Sequence, residues 1–401
     1  MKPANVSQRD LFAGATVQAV APVADKIPFN RPSCVGEEFT FIREALESGY
    51  VAGGGSFTRR VEQALSAAIG GQALLTTSCT HALEMTALLL DLREGDEVIV
   101  PSFAFVSCAN AYALRGARPV FADVSPGTFN LDPQAVADAL TPRTRAVVAI
   151  HYGGIACDFD GLRHAIGTRD VALIEDNAHG LYGTFRSKPL GSFGRFSTLS
   201  FHETKNFHCG EGGAIVLNDP NDVERAEILR EKGTNRALFF RKLVDKYRWV
   251  DLGSSYVMSD ILAAYLLAQL QRREAVQQKR ARIWRRYHDE LRDTCERLGW
   301  QRPFVPPDCE GASHLYFLVL DSLERRTAFI AYLAEAGVQA VFHYQPLHRS
   351  PYAEKAGFGG AHCPVTDVAA DRLVRLPFYF DLSDEQQTRV VETIREFAAR
   401  Q

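Results

Sequence analysis

Seven short apolar runs alternate with helical segments in the first half of the chain, and this alternation constrains the fold more than any other feature. The segments between the runs carry apolar residues at helical spacing, with proline and glycine at the turns. Strands interleaved with helices in this way are typical of an α/β domain. We therefore predict a mostly parallel, buried sheet of seven strands. The runs are 73–76, 97–101, 118–121, 146–150, 172–175, 195–201 and 213–217.

The sequence predicts three regions along the chain. Residues 1–25 have weak periodicity and are predicted to form a loosely ordered extension, and residues 26–270 form the large α/β domain. A long helical segment, 258–292, leads out of this domain. Apolar runs and helices then start again after residue 300, so residues 271–401 are predicted to form a smaller α+β domain.

Composition excludes several classes of protein. The 401 residues carry a formal net charge of −3, which gives no overall attraction to nucleic acid or to an anionic membrane. No run of 18 apolar residues and no N-terminal leader pattern occurs. The eight cysteines include no CxxC pair, which argues against a zinc or redox motif. Disulfides remain an alternative, but we expect reduced thiols in a cytoplasmic protein without a metal site.

An amine and a carboxylate are the strongest chemical signals in the chain. The apolar run VALIED ends at Asp176, and Lys205 lies in the turn SFHETKN, which precedes GEGG. A lysine that forms a Schiff base and an aspartate that holds a pyridinium proton are the groups that pyridoxal phosphate chemistry requires. Taken singly, Asp176 could cap a helix and Lys205 could be a solvated surface residue. Their order along the chain favours the cofactor site.

A phosphate site is predicted where an apolar run leads through hydroxyl residues into a helix, over residues 74–85. The free N–H groups of a first helical turn attract an anion. The helix dipole contributes only about 0.3–1 kcal/mol, so side-chain hydroxyls must help. Ser78, Thr80 and Ser200 are available for this. A plain helix N-cap at Thr77 or Ser78 is the alternative.

Two further side chains could contact the cofactor ring. Phe105, in the segment PSFAFVS, is the candidate for stacking on its face, although a phenylalanine is more often simply part of the core. His179 follows Asp176 closely and could order that carboxylate or cover the phenolic side of the ring. It could equally be a packed core histidine.

Taken together, the strings TSCT, PSFAFVS, EDNAH, SFHETKN and GEGG resemble the sugar-nucleotide aminotransferases, a branch of the fold-type-I pyridoxal phosphate enzymes. The resemblance extends from Ile27 to the C-terminus and implies an aspartate-aminotransferase-like fold. Within the family, IPFN, GGGSFTRR, REKGTNR and VFHYQPLH are most similar to the dTDP-4-amino-4,6-dideoxygalactose transaminases. The resemblance also implies a role in polysaccharide biosynthesis, such as that of enterobacterial common antigen or O-antigen.

The resemblance implies transfer of an amino group from L-glutamate to C4 of dTDP-4-dehydro-6-deoxy-D-glucose. Lys205 would carry pyridoxal phosphate and Asp176 would bind its ring nitrogen, with Phe105 stacked on the ring. Relatives with histidine in place of this lysine are dehydratases, so Lys205 points away from dehydration. The implied phosphate ligands are Cys79, Thr80 and Ser200.

The resemblance also implies a homodimer whose active sites are shared between subunits. A residue of the segment 253–258 would reach the phosphate in the partner subunit. Here Ser255 stands where many relatives have asparagine, and Val257 stands where many have arginine.

The sequence also offers candidate residues for binding the sugar nucleotide, although each of them could instead be a solvated surface residue. A diphosphate needs charge-assisted donors. Candidates for it are Lys188, Arg236, Arg241 and Lys246. Candidates on the sugar side are His343, Tyr344 and His348. The alternatives are amination at C3, a GDP- or UDP-linked ketosugar, or a sugar-nucleotide-binding relative without turnover.

Overall fold

The computed structural model describes residues 26–400. The extension predicted for residues 1–25 therefore lies outside the described residues. The strands are β1 (Gln72–Thr76), β2 (Glu97–Pro101), β3 (Arg118–Ala122), β4 (Thr144–Ile150), β5 (Ala172–Asp176), β6 (Thr184–Phe185), β7 (Lys188–Pro189), β8 (Phe196–Ser200), β9 (Gly213–Leu217), β10 (Cys309–Glu310), β11 (Phe317–Val319), β12 (Val341–Phe342) and β13 (Leu373–Arg375). The α-helices are α1 (Glu38–Glu47), α2 (Ser56–Ile69), α3 (Cys79–Leu89), α4 (Ser107–Ala113), α5 (Pro133–Ala139), α6 (Phe159–Ile166), α7 (Val223–Arg230), α8 (Arg236–Phe240), α9 (Asp260–Gln271), α10 (Arg273–Glu290), α11 (Arg292–Leu298), α12 (Leu323–Glu335), α13 (Pro351–Lys355), α14 (Pro364–Arg372) and α15 (Asp384–Ala399).

The central sheet contains seven strands in the order β1-β9-β8-β5-β4-β2-β3. Strand β9 is antiparallel to both of its neighbours, β1 and β8. The remaining pairs are parallel. Each of the seven predicted apolar runs is one of these strands. The predicted α/β class with a mostly parallel sheet of seven strands is confirmed.

Helices cover the sheet on both faces, which explains why its strands are apolar throughout rather than alternating. Val98 and Val100 of β2 pack into one cluster with residues of α3, such as Leu83. Ile99, which points to the other face, packs with Phe159 of α6. Because β4, β5 and β8 run parallel to β2, their carboxyl ends meet at one edge of the sheet, where α/β folds bind ligands.

The C-terminal part of the chain builds a second, smaller sheet of three antiparallel strands in the order β11-β13-β12. A separate apolar cluster joins this sheet to α10, α12 and α15, with Ile283, Phe329 and Ile394 among its members. The predicted helical segment 258–292 is broken at Arg272, where φ is −98° and ψ is 15°. The division at residues 270 and 271 stays a prediction.

Within the described part of the chain, no helix has both the length and the apolarity that a membrane span requires. Nor does any group of three or more His, Cys, Asp or Glu side chains among residues 26–400 have an arrangement suited to a metal ion. All eight cysteines are free thiols.

Candidate active site

The last two residues of β5 carry adjacent carboxylates that point to opposite sides of the sheet. Asp176 lines a cavity of about 510 Å³ at the carboxyl edge. Its Oδ1 accepts a hydrogen bond of 3.1 Å from the backbone N–H of Ala178. Burial raises the pKa of Asp176, while that hydrogen bond and the charge of Lys205 oppose the rise. A turn follows β5 rather than a helix, so Asp176 is not a helix cap.

Glu175 does not line the cavity and instead stabilises the fold through hydrogen bonds. Its Oε1 accepts hydrogen bonds from the backbone N–H groups of Phe193 (2.6 Å) and Gly194 (2.7 Å). Its Oε2 accepts one from Gly191 (2.7 Å) and lies 3.1 Å from Nε2 of His151. The buried carboxylate thus fixes the loop that leads into β8 against the end of β5.

Glu175→Gln is therefore expected to lower the free energy of unfolding by about 3 kcal/mol, because an amide leaves buried N–H donors facing an N–H₂ group. Urea unfolding of the protein without cofactor measures the change. Glu335→Gln, at an exposed position, is the matched control. An unchanged urea midpoint in Glu175→Gln would contradict the structural role.

The N-terminus of α3 forms one wall of the cavity, with Ser78, Cys79 and Thr80 in the lining. The Oγ of Ser78 accepts a hydrogen bond of 3.1 Å from the backbone N–H of His81, so the N-cap alternative is correct for this serine. Thr80 Oγ1 lies 2.7 Å from the Oγ of Ser107. Because first-turn N–H groups lack partners within the helix, this wall has donors suited to an anion.

Glycine at position 213 allows β9 to approach this helix end. A Cβ there would lie 2.3 Å from the carbonyl carbon of Ser78 and 2.4 Å from the nitrogen of Cys79. Gly210 adopts a φ of +84°, which other residues rarely do. The glycines of GEGG thus shape both the turn that carries the lysine and the helix end.

Lys205 lies in that turn, after β8, and lines the same cavity as Asp176. The turn is closed by hydrogen bonds of 2.9 Å from the backbone N–H of Glu203 to the carbonyl of Gly210, and from that of Lys205 to His202. Burial lowers the pKa of Lys205 to about 8, although the Cys79 thiol and Asp176 act in the opposite direction. The alternative of a solvated surface lysine does not apply.

The two phenylalanines of PSFAFVS have different environments. Phe103 is 1% exposed and packs against Tyr152 and Phe129, with ring centroids at 5.2 and 5.8 Å. Phe105 is 61% exposed and lies on the cavity wall. Phe103 is therefore the phenylalanine that belongs to the hydrophobic core. Phe105 leaves its ring exposed toward a flat ligand in the cavity.

His179 both packs and lines the cavity. Its Nδ1 accepts a hydrogen bond of 3.3 Å from the backbone N–H of Gly153, and its ring stacks on His314 with centroids 4.2 Å apart. Burial holds the pKa of His179 well below its usual value, so the imidazole is neutral. A neutral ring is suited to an apolar or hydrogen-bonding contact beside the cofactor.

The C-terminal part of the chain closes the cavity from the other side. His343 and Tyr344, both predicted, lie in the lining with their ring centroids 3.4 Å apart. The Nδ1 of His343 lies 3.0 Å from the hydroxyl of Tyr152. The cavity thus brings together the predicted residues Ser78, Cys79, Thr80, Phe105, Asp176, His179, Ser200, Lys205, His343 and Tyr344.

Five other predicted residues lie outside this cavity, namely Lys188, Arg236, Arg241, Lys246 and His348. His348 is buried elsewhere, where its Nδ1 lies 2.6 Å from the Oγ of Ser102. Lys188 is exposed on β7, and Arg236 forms an ion pair of 3.5 Å with Glu231. Their contacts with substrate stay predictions.

Ser255 also lies outside the cavity of its own chain. It is exposed and forms an isolated antiparallel bridge with Glu231. The predicted contact of Ser255 is with a phosphate in the partner subunit, so it stays a prediction.

Sequence reasoning missed two basic residues of the lining that lie outside the recognised strings, His314 and Arg375. Both come from the C-terminal part of the chain, and neither lies in a recognised string. A signal was available for Arg375, because a single arginine in the apolar run LVRLPF must point either to solvent or into a site.

The groups in the cavity fit pyridoxal phosphate. An amine and a carboxylate, Lys205 and Asp176, share the cavity with a helix N-terminus and hydroxyl groups. The amine suits the aldehyde of that cofactor, and the carboxylate suits its ring nitrogen. The helix N-terminus and the hydroxyl groups suit its phosphate.

Comparison with known proteins agrees with this assignment. The chain is 32% identical over 379 residues to the spore coat polysaccharide biosynthesis protein SpsC of Bacillus subtilis, covering 92% of this chain and 96% of SpsC. The aminotransferase TlmJ from Streptoalloteichus hindustanus is 31% identical, with a TM-score of 0.86 and coverage of 94% and 99%. Spr1654 from Streptococcus pneumoniae, in its PLP form, is 27% identical, with a TM-score of 0.84 and the same coverage.

Family membership follows from the extent of the match. Residues 32–395 match the DegT/DnrJ/EryC1/StrS aminotransferase family, and this range contains every cavity residue predicted from the sequence. The chain belongs to this family of pyridoxal phosphate-dependent sugar aminotransferases.

Proposed function

We propose that the protein transfers the amino group of L-glutamate to C4 of dTDP-4-dehydro-6-deoxy-D-glucose. The products are dTDP-4-amino-4,6-dideoxy-D-galactose and 2-oxoglutarate. The observation that carries the chemistry is that Lys205 and Asp176 line one cavity with the N-terminus of α3. The choice of substrate rests on the resemblance of strings such as SFHETKN and VFHYQPLH to the dideoxygalactose subgroup.

In this proposal the protein holds the cofactor at three places. Lys205 Nζ would bind its aldehyde carbon, and the carboxylate of Asp176 would keep a proton on the ring nitrogen. The first-turn N–H groups of α3, with Ser78, Cys79, Thr80 and Ser200, would hold the phosphate. Phe105 would stack on the ring, which adds roughly 0.5–1.5 kcal/mol beyond area burial. His179 would cover the ring's phenolic side.

The cavity residues then control proton transfer. When bound, pyridoxal phosphate supplies an electron-accepting ring and the carbon that carries the amino group between substrates. In the first half-reaction Lys205 Nζ would take the proton from Cα of glutamate and return it to the cofactor carbon. In the second it would take a proton from that carbon and deliver it to C4 of the sugar. This requires a neutral amine, and the pKa of Lys205 near 8 makes that form accessible.

Substrate recognition is divided between the two sides of the cavity. His343 and Tyr344 contact the sugar from the C-terminal part of the chain, since both line the cavity. For the diphosphate, we place the charged donors on exposed segments of the partner subunit in a cytoplasmic homodimer. Ser255 would reach the cofactor phosphate of the partner subunit in the same way. The candidate donors are Lys188, Arg236, Arg241 and Lys246.

Assays with a panel of nucleotide ketosugars test the proposal. Purified holoenzyme is incubated with L-glutamate and 3-keto or 4-keto sugars linked to dTDP, UDP or GDP, and mass spectrometry identifies the amino sugar. We expect turnover on the dTDP-linked 4-keto sugar to exceed that on the others. Preference for a 3-keto sugar or for another nucleotide would replace the proposed substrate. Cofactor binding without turnover on any member would favour a binding function.

A further inference from the structure

The side chain of His314 is held in the cavity by a hydrogen-bond network that starts next to Lys205. The amide nitrogen of Asn206 donates to the carbonyl of Ala312 at 2.8 Å and to Oε1 of Gln277 at 3.3 Å. The amide oxygen therefore faces the other way, where it lies 2.9 Å from Nδ1 of His314. The residue that follows Lys205 in the chain thus orients an imidazole that lines the cavity.

The backbone of His314 is fixed as well. Arg280, which is buried on α10, donates to the carbonyl of Ser313 at 3.1 Å and to that of His314 at 2.5 Å. Ser313 adopts a φ of +49°, which is uncommon for residues other than glycine. These contacts determine the turn that carries the imidazole to the cavity.

The network decides which nitrogen of His314 carries the proton. Burial holds the pKa of His314 well below its usual value, and the charge of Lys205 acts in the same direction, so the imidazole is neutral and has a single N–H group. Because the amide oxygen of Asn206 can only accept, that N–H group is at Nδ1. The Nε2 atom, on the opposite edge of the ring, keeps its lone pair and has no hydrogen-bond partner among residues 26–400.

The neighbouring imidazole has the opposite arrangement. The ring of His179 stacks on that of His314, and its Nδ1 accepts from the backbone N–H of Gly153, so its own proton is at Nε2. The cavity therefore presents one imidazole donor and one imidazole acceptor side by side. A donor suits the phenolic oxygen of the cofactor, whereas an acceptor needs a ligand that brings an N–H or O–H group.

The two substrates of the proposed reaction differ in what they can bring to this acceptor. Apart from the reacting amine, Cα of L-glutamate carries a carboxylate and a methylene group, and neither donates a hydrogen bond. Beside C4 of the ketosugar, C5 carries the ring oxygen and the C6 methyl group, whereas C3 carries a hydroxyl. That hydroxyl is the only hydrogen-bond donor within two bonds of the reacting carbon.

We propose that Nε2 of His314 accepts a hydrogen bond from the C3 hydroxyl of the ketosugar and thereby selects sugars that are hydroxylated beside the reacting carbon. This inference rests on the proposed function, since it names a recognition contact in the same cavity. Because Asn206 directly follows Lys205, the hydroxyl contact and the reacting amine are fixed relative to each other. A site built to bind a hydroxyl rejects an analogue that lacks it, because its own polar group is then left unpaired.

The two half-reactions test the contact. His314→Phe keeps a ring that stacks on His179 but removes the acceptor. The amine form of this variant is expected to bind dTDP-4-dehydro-6-deoxy-D-glucose roughly 10- to 100-fold more weakly than wild type. The analogue without the C3 hydroxyl should react equally in both proteins, and the half-reaction with L-glutamate should be unchanged. His164→Phe, at an exposed position on α6, is the matched control.

Two measurements require no turnover. Calorimetric titration of holoenzyme uses dTDP-6-deoxy-D-glucose, which has no carbonyl at C4, and its 3-deoxy counterpart. Loss of the C3 hydroxyl should weaken binding to wild type and make no difference to His314→Phe. Nitrogen-15 NMR of histidine-labelled protein without substrate should show the proton of His314 on Nδ1. Thermal unfolding checks that the variant folds, and His314→Gln, which keeps an acceptor oxygen, should lose less affinity.

Each outcome decides the inference. Equal wild-type affinities for the sugars with and without the C3 hydroxyl, or a proton on Nε2 of His314, would overturn it. A defect of His314→Phe in the L-glutamate half-reaction would assign His314 to Lys205 instead. If wild-type protein binds no dTDP sugar, the proposed substrate is wrong. The titration is then made with the nucleotide sugar that the panel selects and its analogue without the hydroxyl beside the reacting carbon, and equal affinities for those two would overturn the inference as well.

Discussion

Lys205→Ala is expected to remove the visible absorption of the reconstituted protein and to lower transamination by about 10⁴-fold. The variant loses the amine that binds the cofactor aldehyde and also the group that moves the proton, and proton transfer alone contributes up to that factor. Phosphate contacts at the N-terminus of α3 would remain, so weak cofactor binding should persist. Absorbance spectra and steady-state rates measure the two effects.

Reductive trapping with borohydride tests the same assignment independently. Mass spectrometry of the trapped wild-type protein should place the cofactor on the peptide that contains Lys205. Lys355→Ala, which removes an exposed lysine on α13, is the matched control and should keep colour and rate. A label on any other lysine, or a coloured and active Lys205→Ala, would contradict the assignment.

The fold could be predicted from sequence because its central sheet is buried on both faces. Each strand of such a sheet is an apolar run, as β2 shows with Val98, Ile99 and Val100, and short loops punctuate the runs. The exact strand ends were less predictable. β4 begins at Thr144, before the predicted start at residue 146, because the polar Thr144 still pairs with Glu97 of β2.

The part of the site that lies at the carboxyl ends of strands was also predictable. Asp176 ends β5, the turn that carries Lys205 follows β8, and α3 follows β1, so the sheet itself brings them to one edge. Ser78 shows a limit of this reasoning. Its position indicated either an N-cap or a phosphate ligand, and the structure places it as an N-cap that also lines the cavity.

The contributions of the C-terminal part of the chain depend on packing between elements far apart in sequence. Arg375 and His314 reach the cavity only because the small sheet packs beside it, which no local pattern encodes. His343 and His348 lie in one short segment, which predicts that both face the same site. A 3₁₀ turn over Leu347–Arg349 redirects the chain between them, so that His348 meets Ser102 instead.

Asp176→Asn is expected to lower kcat/KM by about 10²- to 10³-fold, equivalent to roughly 3–4 kcal/mol, the effect of removing one partner of a buried charged pair. An amide cannot keep a proton on the ring nitrogen, so the ring accepts electrons poorly.

A comparison with the neighbouring Glu175 makes the prediction for Asp176→Asn specific. Asp176 accepts a single backbone hydrogen bond, whereas Glu175 accepts three. Asp176→Asn should therefore unfold at nearly the wild-type urea concentration and keep most of its affinity for pyridoxal phosphate, because the phosphate contacts are untouched. Asp381→Asn, at an exposed position, is the matched control. Rates, cofactor titration and urea unfolding measured on the same samples separate catalysis from binding and stability. Equal loss of cofactor affinity and rate would show that Asp176 anchors the cofactor rather than holding its proton.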